Sequence, residues 1–143
     1  MAGHITFGHD GVMLSPSNRS SQAPALRLVA LLTGAGIMHF VRPQFFDAIV
    51  PRTLPGSART YTYASGAAEL ATATALAVPR TRRVGAGLAA ALFVAVFPAN
   101  IQMTVDWLRS GRVSATAKAL IVARLPLQIP LVTQALKARR NAP

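Results

Sequence analysis

Long apolar stretches alternate with short polar, basic or proline-rich segments along most of this 143-residue chain. A helix of about 20 apolar residues is long enough to cross the hydrocarbon core of a bilayer. The pattern therefore predicts an all-α membrane protein, an antiparallel bundle of four transmembrane helices. The predicted spans are residues 24–41, 58–79, 84–106 and 115–136. Together they form one transmembrane domain, 24–140, which follows a polar and flexible N-terminal arm, 1–23.

The connection between the first two predicted spans has an amphipathic pattern of its own. Its large apolar side chains would share one side of a short helix, and they are Phe45, Phe46, Ile49 and Val50. This pattern is typical of a helix that lies at the membrane interface, which is the favoured interpretation. The alternative is a lid that folds over the bundle.

The composition supports a membrane protein rather than a nucleic-acid-binding one. Hydrophobic residues make up 52% of the chain and charged residues only 13%, against about 25% in typical soluble proteins. The net charge of +11 comes from small basic groups between the apolar stretches, where lysine and arginine flank membrane helices. We therefore expect a lipid bilayer and no nucleic acid as a partner. The basic residues number eight on one side of the four spans and six on the other, which favours a cell-membrane protein with both termini in the cytoplasm.

Two charged residues, Glu69 and Arg124, fall inside predicted spans. A charge in the middle of a bilayer costs about 2.5–3.5 kcal/mol on insertion scales, so each needs a partner. Glu69 would lie about 16 Å, and Arg124 about 13 Å, from the outer ends of their helices. They can form an ion pair if the second and fourth spans are neighbours. Such a pair either only fixes helix packing or lines a ligand pocket that opens to the outer face.

Other polar side chains are predicted towards the same outer side of the bundle. The candidate ligand-binding residues are therefore Glu69, Arg124, Asn100, Gln128, His39 and Gln102. For His39, a hydrogen bond to a loop carbonyl is the simpler explanation. The chain has no cysteine, no recognisable pairing of a nucleophile with a base, and no metal-binding spacing. The sequence thus predicts no catalytic residue and no metal site, and it leaves open whether the protein is an enzyme.

Four motifs occur in the order in which they are found in DoxX-like membrane proteins. The first is Gly36-Ile37-Met38-His39-Phe40 with the prolines that follow it, and the second is Tyr63-Ala64-Ser65-Gly66 followed by Glu69. The third is Phe97-Pro98-Ala99-Asn100-Ile101-Gln102-Met103, and the fourth is Arg124-Leu125-Pro126-Leu127-Gln128. The chain resembles this family over residues 26–136. The resemblance implies a bundle of four membrane helices and an association with redox complexes that involve quinones or sulfur compounds.

Two functions are compatible with these features. The first is a non-catalytic or accessory subunit that serves a redox partner protein in the membrane. The second is a binding or transport protein for a small molecule, a quinone or a sulfur oxyanion, with its polar site in the outer half of the bundle. A quinone is the one cofactor that either hypothesis includes. A homo-oligomer is a further alternative, through which a transport pathway could form.

Overall fold

The computed structural model describes residues 21–143, and every regular element within them is an α-helix. The prediction of an all-α protein is confirmed for this part of the chain. Most of the predicted N-terminal arm lies outside the described residues, and its last residue, Ala23, already belongs to the first helix. The helices are α1 Ala23–Val41, α2 Pro43–Asp47, α3 Ala58–Ala77, α4 Arg82–Arg109, α5 Ala115–Arg124 and α6 Gln128–Arg140.

Three parts of this structure are long and apolar enough to cross a membrane. They are α1, α4 and the stretch Ala115–Arg140, which contains α5 and α6. Helix α3 has the length of a span but is less apolar, because threonine, serine and tyrosine side chains and Glu69 interrupt it. Many large apolar side chains point outwards, among them Leu120 and Ile129, which are 68% and 69% exposed. An exterior of this kind fits a protein that is surrounded by lipid.

The helices close into a ring around a core of mostly small side chains. Helix α3 packs against α1 and α4, and α6 packs against α4 and α1. Alanine supplies much of this core because it lets helix backbones approach closely without loss of packing. The buried core residues are Ala25, Leu28, Leu32, Ala73, Leu76, Ala86, Ala89, Phe93, Ala135 and Ala138.

Two glycines allow α1 and α3 to approach each other. A Cβ atom on Gly66 would lie 2.7 Å from the Cβ of His39 and 3.1 Å from the carbonyl oxygen of Gly36. A Cβ atom on Gly36 would lie 2.8 Å from Cγ of Leu70. The separations of 2.7 and 2.8 Å are too short for a real Cβ, so glycine at these two positions allows the helices to approach this closely. It also brings the C-terminal end of α1, with His39, against the middle of α3.

A buried arginine ties several helix ends together at the other end of the ring. Arg82, at the start of α4, donates to the carbonyl oxygens of Leu76 and Ala77 at the end of α3, at 2.7 and 2.8 Å. It also donates to the side chain of Gln22 at 2.9 Å, and Gln22 in turn donates to the carbonyl of Asn141 at 2.6 Å. The sequence placed Arg82 among the basic residues at the membrane surface. The structure instead uses it to satisfy carbonyl groups that the end of α3 leaves without helical donors.

The fourth predicted span, 115–136, is discontinuous. Helix α5 ends at Arg124, and α6 begins at Gln128 and continues to Arg140. Pro126 and Pro130 have no N–H group, so neither can donate a hydrogen bond to the residue four positions earlier. In the turn between the helices, backbone N–H groups donate to the carbonyl of the third preceding residue instead. The N–H of Leu127, for example, donates to the carbonyl oxygen of Arg124 at 3.1 Å. The predicted fourth span therefore consists of two helices joined by a turn, and the stretch Ala115–Arg140 as a whole is long and apolar enough to cross a membrane.

Candidate ligand-binding site

A cavity of about 280 Å³ lies between the helices, at the end of the ring that is remote from Arg82. Four of the predicted site residues line it: His39 from α1, Glu69 from α3, Asn100 from α4 and Arg124 from the end of α5. Its larger apolar lining residues are mostly from α2 and the connection after it, namely Phe46, Ile49, Val50, Pro51 and Leu54. Polar groups that are far apart in the sequence are therefore brought to one place.

His39 is the nearest charged or ionisable neighbour of Glu69 in the described residues. Its Nδ1 lies 3.1 Å from Oε2 of Glu69 and 2.8 Å from the carbonyl oxygen of Ala35. The side chains of His39 and Glu69 are 9% and 15% exposed. Oε2 of Glu69 is buried and, within residues 21–143, accepts no hydrogen bond. His39 therefore lies close to Oε2 of Glu69 without donating a hydrogen bond to it, and this oxygen can still accept one.

The predicted ion pair between Glu69 and Arg124 is wrong in its direct form. No nitrogen of Arg124 lies within 4.0 Å of a carboxylate oxygen in the described part of the chain. The prediction required neighbouring helices, but α3 packs against α1 and α4, while α5 contacts α4. Glu69 and Arg124 therefore line the same cavity from different sides.

Asn100 and Arg124 present unused hydrogen-bonding groups to this cavity. Asn100 is only 8% exposed, and its side chain bonds to no other residue between 21 and 143, although Thr104 donates to its backbone carbonyl at 2.8 Å. The Arg124 guanidinium likewise has no hydrogen bond or ion pair to a described residue. A cation at the end of α5 is favourable beside the negative end of the helix dipole, and the charge of Arg124 also acts on Glu69 across the cavity.

The other two predicted site residues, Gln128 and Gln102, do not line the cavity. Gln128 donates to the carbonyl of Phe93 in α4, close to Pro98, where the helix lacks one of its usual donors. Gln102 donates to Asp106 at 3.0 Å on the exposed side of α4. Gln128 thus supports the proline-containing part of α4, and Gln102 bonds only along its own helix.

Helix α2 covers the cavity, as the lid alternative predicts. The rings of Phe46 and His39 stack with their centroids 3.6 Å apart. Asp47 fixes α2 to α3, because its carboxylate accepts from Arg59 at 2.8 Å and from the hydroxyl of Thr62 at 2.6 Å. The short helix that the sequence places at the interface is therefore held over His39.

A model of the family Domain of unknown function (DUF8561) matches residues 28–139. The chain belongs to this family. No curated protein and no solved structure matches the chain. The DUF8561 match runs from within α1 to within α6 and includes the four predicted site residues that line the cavity. The resemblance to DoxX-like proteins stays a prediction, because the DUF8561 match carries no activity and no other family name.

The Asp47 carboxylate should make the closure of α2 in this DUF8561 protein sensitive to acid. The hydrogen bond from Thr62, and after it the Arg59 guanidinium, hold the pKa of Asp47 below its ordinary value of 3.8, while burial opposes them. A group with a depressed pKa stabilises the folded state fully above its ordinary pKa, and this contribution is lost as the pH falls through the depressed value. We expect Asp47→Asn to lower the melting temperature at neutral pH and to have less effect below about pH 4.

The control for this experiment is Asp106→Asn, which removes a carboxylate whose one side-chain bond within residues 21–143 is to Gln102 on the same helix. Melting curves of both variants and the parent protein, recorded in one detergent across the pH range, give the comparison. A loss for Asp47→Asn that is the same at neutral and acid pH would show that the carboxylate charge does not hold α2.

Sequence reasoning missed the Asp47 anchor and the pairing of His39 with Glu69. Asp47 is 15 positions from Thr62 on another element, so no helical spacing connects them. The second pairing had a usable signal. Side chains of a helix tilt towards its N-terminus, so the ring of His39 points back towards Ala35 and reaches the level of Glu69. A depth comparison by Cα position alone puts these two residues too far apart.

Proposed function

We propose that this protein spans the membrane four times and binds a small molecule in the cavity beneath α2. The observation that carries the proposal is the convergence of His39, Glu69, Asn100 and Arg124 on one partly apolar cavity. Ligand sites typically combine apolar walls with a few polar groups that orient the ligand. Charged residues within membrane helices are functional candidates because they are costly to keep there.

The arrangement at the Arg82 end of the ring supports an antiparallel four-span topology. Arg82 and its partners bring together the start of α1, the end of α3, the start of α4 and the end of α6. Helix α3 would be the second span, since its 20 residues measure about 30 Å and its polar side chains Thr62, Glu69 and Thr72 point inwards. In this topology both termini lie on one side, and the basic-residue count puts that side in the cytoplasm of a cell-membrane protein.

The donors in the cavity favour a ligand that is rich in oxygen acceptors. The Arg124 guanidinium offers a planar set of N–H donors without an acceptor among residues 21–143, and Asn100 adds an amide. The carbonyl groups of a quinone or the oxygens of a sulfur oxyanion have this chemistry. The break between α5 and α6 beside Arg124 is also a feature of substrate sites in membrane proteins, where helices are interrupted near the ligand.

Ligand binding should depend on Arg124 and not on Gln102. We expect a water-soluble quinone or thiosulfate to raise the melting temperature of the parent protein, because a ligand that binds only the folded state stabilises it. Arg124→Met should weaken that ligand about tenfold or more, since a hydrogen bond to a charged group contributes about 1.5–3 kcal/mol. Calorimetric titration of both proteins in lipid nanodiscs measures the change.

Gln102→Leu is the matched control, because Gln102 lies on α4 near Asn100 but points away from the cavity. It should bind ligand as the parent does. Equal losses in the two variants would overturn the proposed site. No stabilisation by any quinone or sulfur oxyanion at saturating concentration would overturn the choice of these two ligand classes.

An accessory role in a membrane redox complex stays a prediction that rests on the DoxX resemblance. Its test is purification in a mild detergent with identification of the proteins that co-purify. A redox enzyme recovered with the parent protein and lost on mutation of the outer face of α1 would support it. Transport, in which the cavity of a homo-oligomer would be the pathway, is tested by flux into proteoliposomes.

A further inference from the structure

An apolar groove runs along the outer face of α1 and α2, next to the cavity. It has a volume of about 1000 Å³ and is lined by side chains of both helices, among them Leu31, Met38 and Phe45. These three side chains are between 44% and 53% exposed, so the groove opens away from the ring of helices. Gly34 leaves space in its floor, because a Cβ atom there would have no neighbour within 4 Å.

Groove and cavity share part of their walls. Ala35 and Phe46 line both of them, so a small residue of α1 and one ring of α2 separate the two spaces. Phe46 is held by its stack on His39, which is a contact between rings and not a covalent or ionic link. Movement of this one side chain would join the membrane-facing groove to the polar cavity.

From this continuity we infer that the ligand is a single-chain amphiphile with a carboxyl head, which enters from the bilayer past Phe46. The head lies in the cavity against Arg124 and Glu69, and the hydrocarbon tail lies in the groove over Gly34. This inference rests on the proposed function, since it specifies the chemistry of the ligand and the side from which it enters.

A carboxyl head satisfies the polar groups that the cavity leaves unused. A carboxylate matches the planar fork of the Arg124 guanidinium, which has no acceptor among the described residues. Oε2 of Glu69 is buried without a donor and needs one. Two carboxyl groups in contact share one proton, because both cannot be ionised side by side, and Arg124 would balance the single negative charge that remains.

The polarity and the length of the groove fit an acyl chain better than a peptide or a lipid headgroup. Its walls between Ala30 and Val41 extend about 16 Å along α1. They are apolar throughout, and the polar side chains of Arg42 and Gln44 occur at one end. A free oxyanion would leave this groove empty, whereas a medium-length fatty acid fills both spaces at once.

The test uses the full chain in phosphatidylcholine nanodiscs, with empty nanodiscs as the blank and radiolabelled laurate as the probe. Butyrate has the carboxyl head without a long hydrocarbon tail, and dodecanol has the long tail without a carboxyl group. Competition by each therefore measures the contribution of one part of laurate. We expect laurate to bind, and both competitors to be at least about tenfold weaker. Gly34→Leu should weaken laurate at least about tenfold, because the added side chain occupies the groove without meeting protein atoms.

Ala30→Leu fills the groove one turn away and gives a second variant with the same expectation. Ala67→Leu adds the same bulk to an exposed position of α3 outside the groove and should bind laurate as the parent does. Absence of laurate binding, or unchanged binding in both groove variants, would overturn the inference. Butyrate or thiosulfate that binds through Arg124 and is indifferent to Gly34→Leu would also overturn it, while leaving the proposed function intact.

Discussion

Replacing Gly66 by alanine is expected to destabilise the protein and to move His39 away from Glu69. The new methyl group would lie 2.7 Å from Cβ of His39 and 2.8 Å from Cε2 of Phe40. On the other side the carbonyl oxygen of Gly36 is 3.1 Å away, so the methyl group cannot be relieved by the movement of one flexible side chain. Overpacking of this kind costs about 1–3 kcal/mol. Because His39 is among the atoms displaced, ligand affinity should fall together with stability.

Gly34→Ala is the matched control, since Gly34 is also a helical glycine and its Cβ would meet nothing within 4 Å. Both substitutions gain the helix propensity of alanine over glycine, about 1 kcal/mol, so the difference between them isolates the clash. Melting temperatures of the two variants in one detergent measure it. If Gly66→Ala is as stable as Gly34→Ala, α1 and α3 do not approach each other as described.

The apolar pattern predicts the positions of the long helices well because burial and lipid contact both require apolar side chains. The predicted first span, 24–41, differs from α1 by one residue. The third, 84–106, is shorter than α4, which continues to Arg109. Hydropathy does not detect the polar residues at the end of a helix, although their backbone remains helical.

The break between α5 and α6 shows where such a pattern stops being informative. The apolar residues continue through the turn, so hydropathy predicts one helix across it. The information lies instead in the spacing of Pro126 and Pro130, which together remove two donors from one region. A single proline is compatible with a continuous helix, as Pro98 in α4 shows. The outcome therefore depends on whether neighbouring groups compensate, which requires tertiary information.

Four of the six candidate residues line one cavity, whereas the contacts that these four make were not predicted. Polarity within an apolar stretch is sufficient to single out His39, Glu69, Asn100 and Arg124, because each such residue needs a reason to be there. Their pairing depends on which helices are neighbours, and the α1–α3 contact is set by Gly36 and Gly66 rather than by charge. The bond from Gln128 to the carbonyl of Phe93 also depends on which helices are neighbours, because its acceptor belongs to the α4 backbone.

Replacing Arg82 by methionine should have the largest effect on stability among the basic residues. Methionine has a similar length but cannot donate, so the carbonyls of Leu76 and Ala77 and the side chain of Gln22 would each lose a charged donor. A hydrogen bond to a charged group contributes about 1.5–3 kcal/mol, and such losses do not add fully. We expect a loss on the order of 3 kcal/mol, measured by denaturation in detergent micelles.

Arg83→Met is the control, because Arg83 is the adjacent residue of α4, carries the same charge and is exposed. A substitution at such a surface position usually changes stability by no more than about 0.5 kcal/mol. Arg82→Lys should fall between the two, since an ammonium group keeps the charge but cannot reach diverging acceptors as a guanidinium does. If Arg82 only anchored the protein to lipid headgroups, lysine would replace it without loss, and the two methionine variants would be equally stable. Because Gln22 connects Arg82 to Asn141, a large loss confined to Arg82→Met would also support the antiparallel closure of the ring.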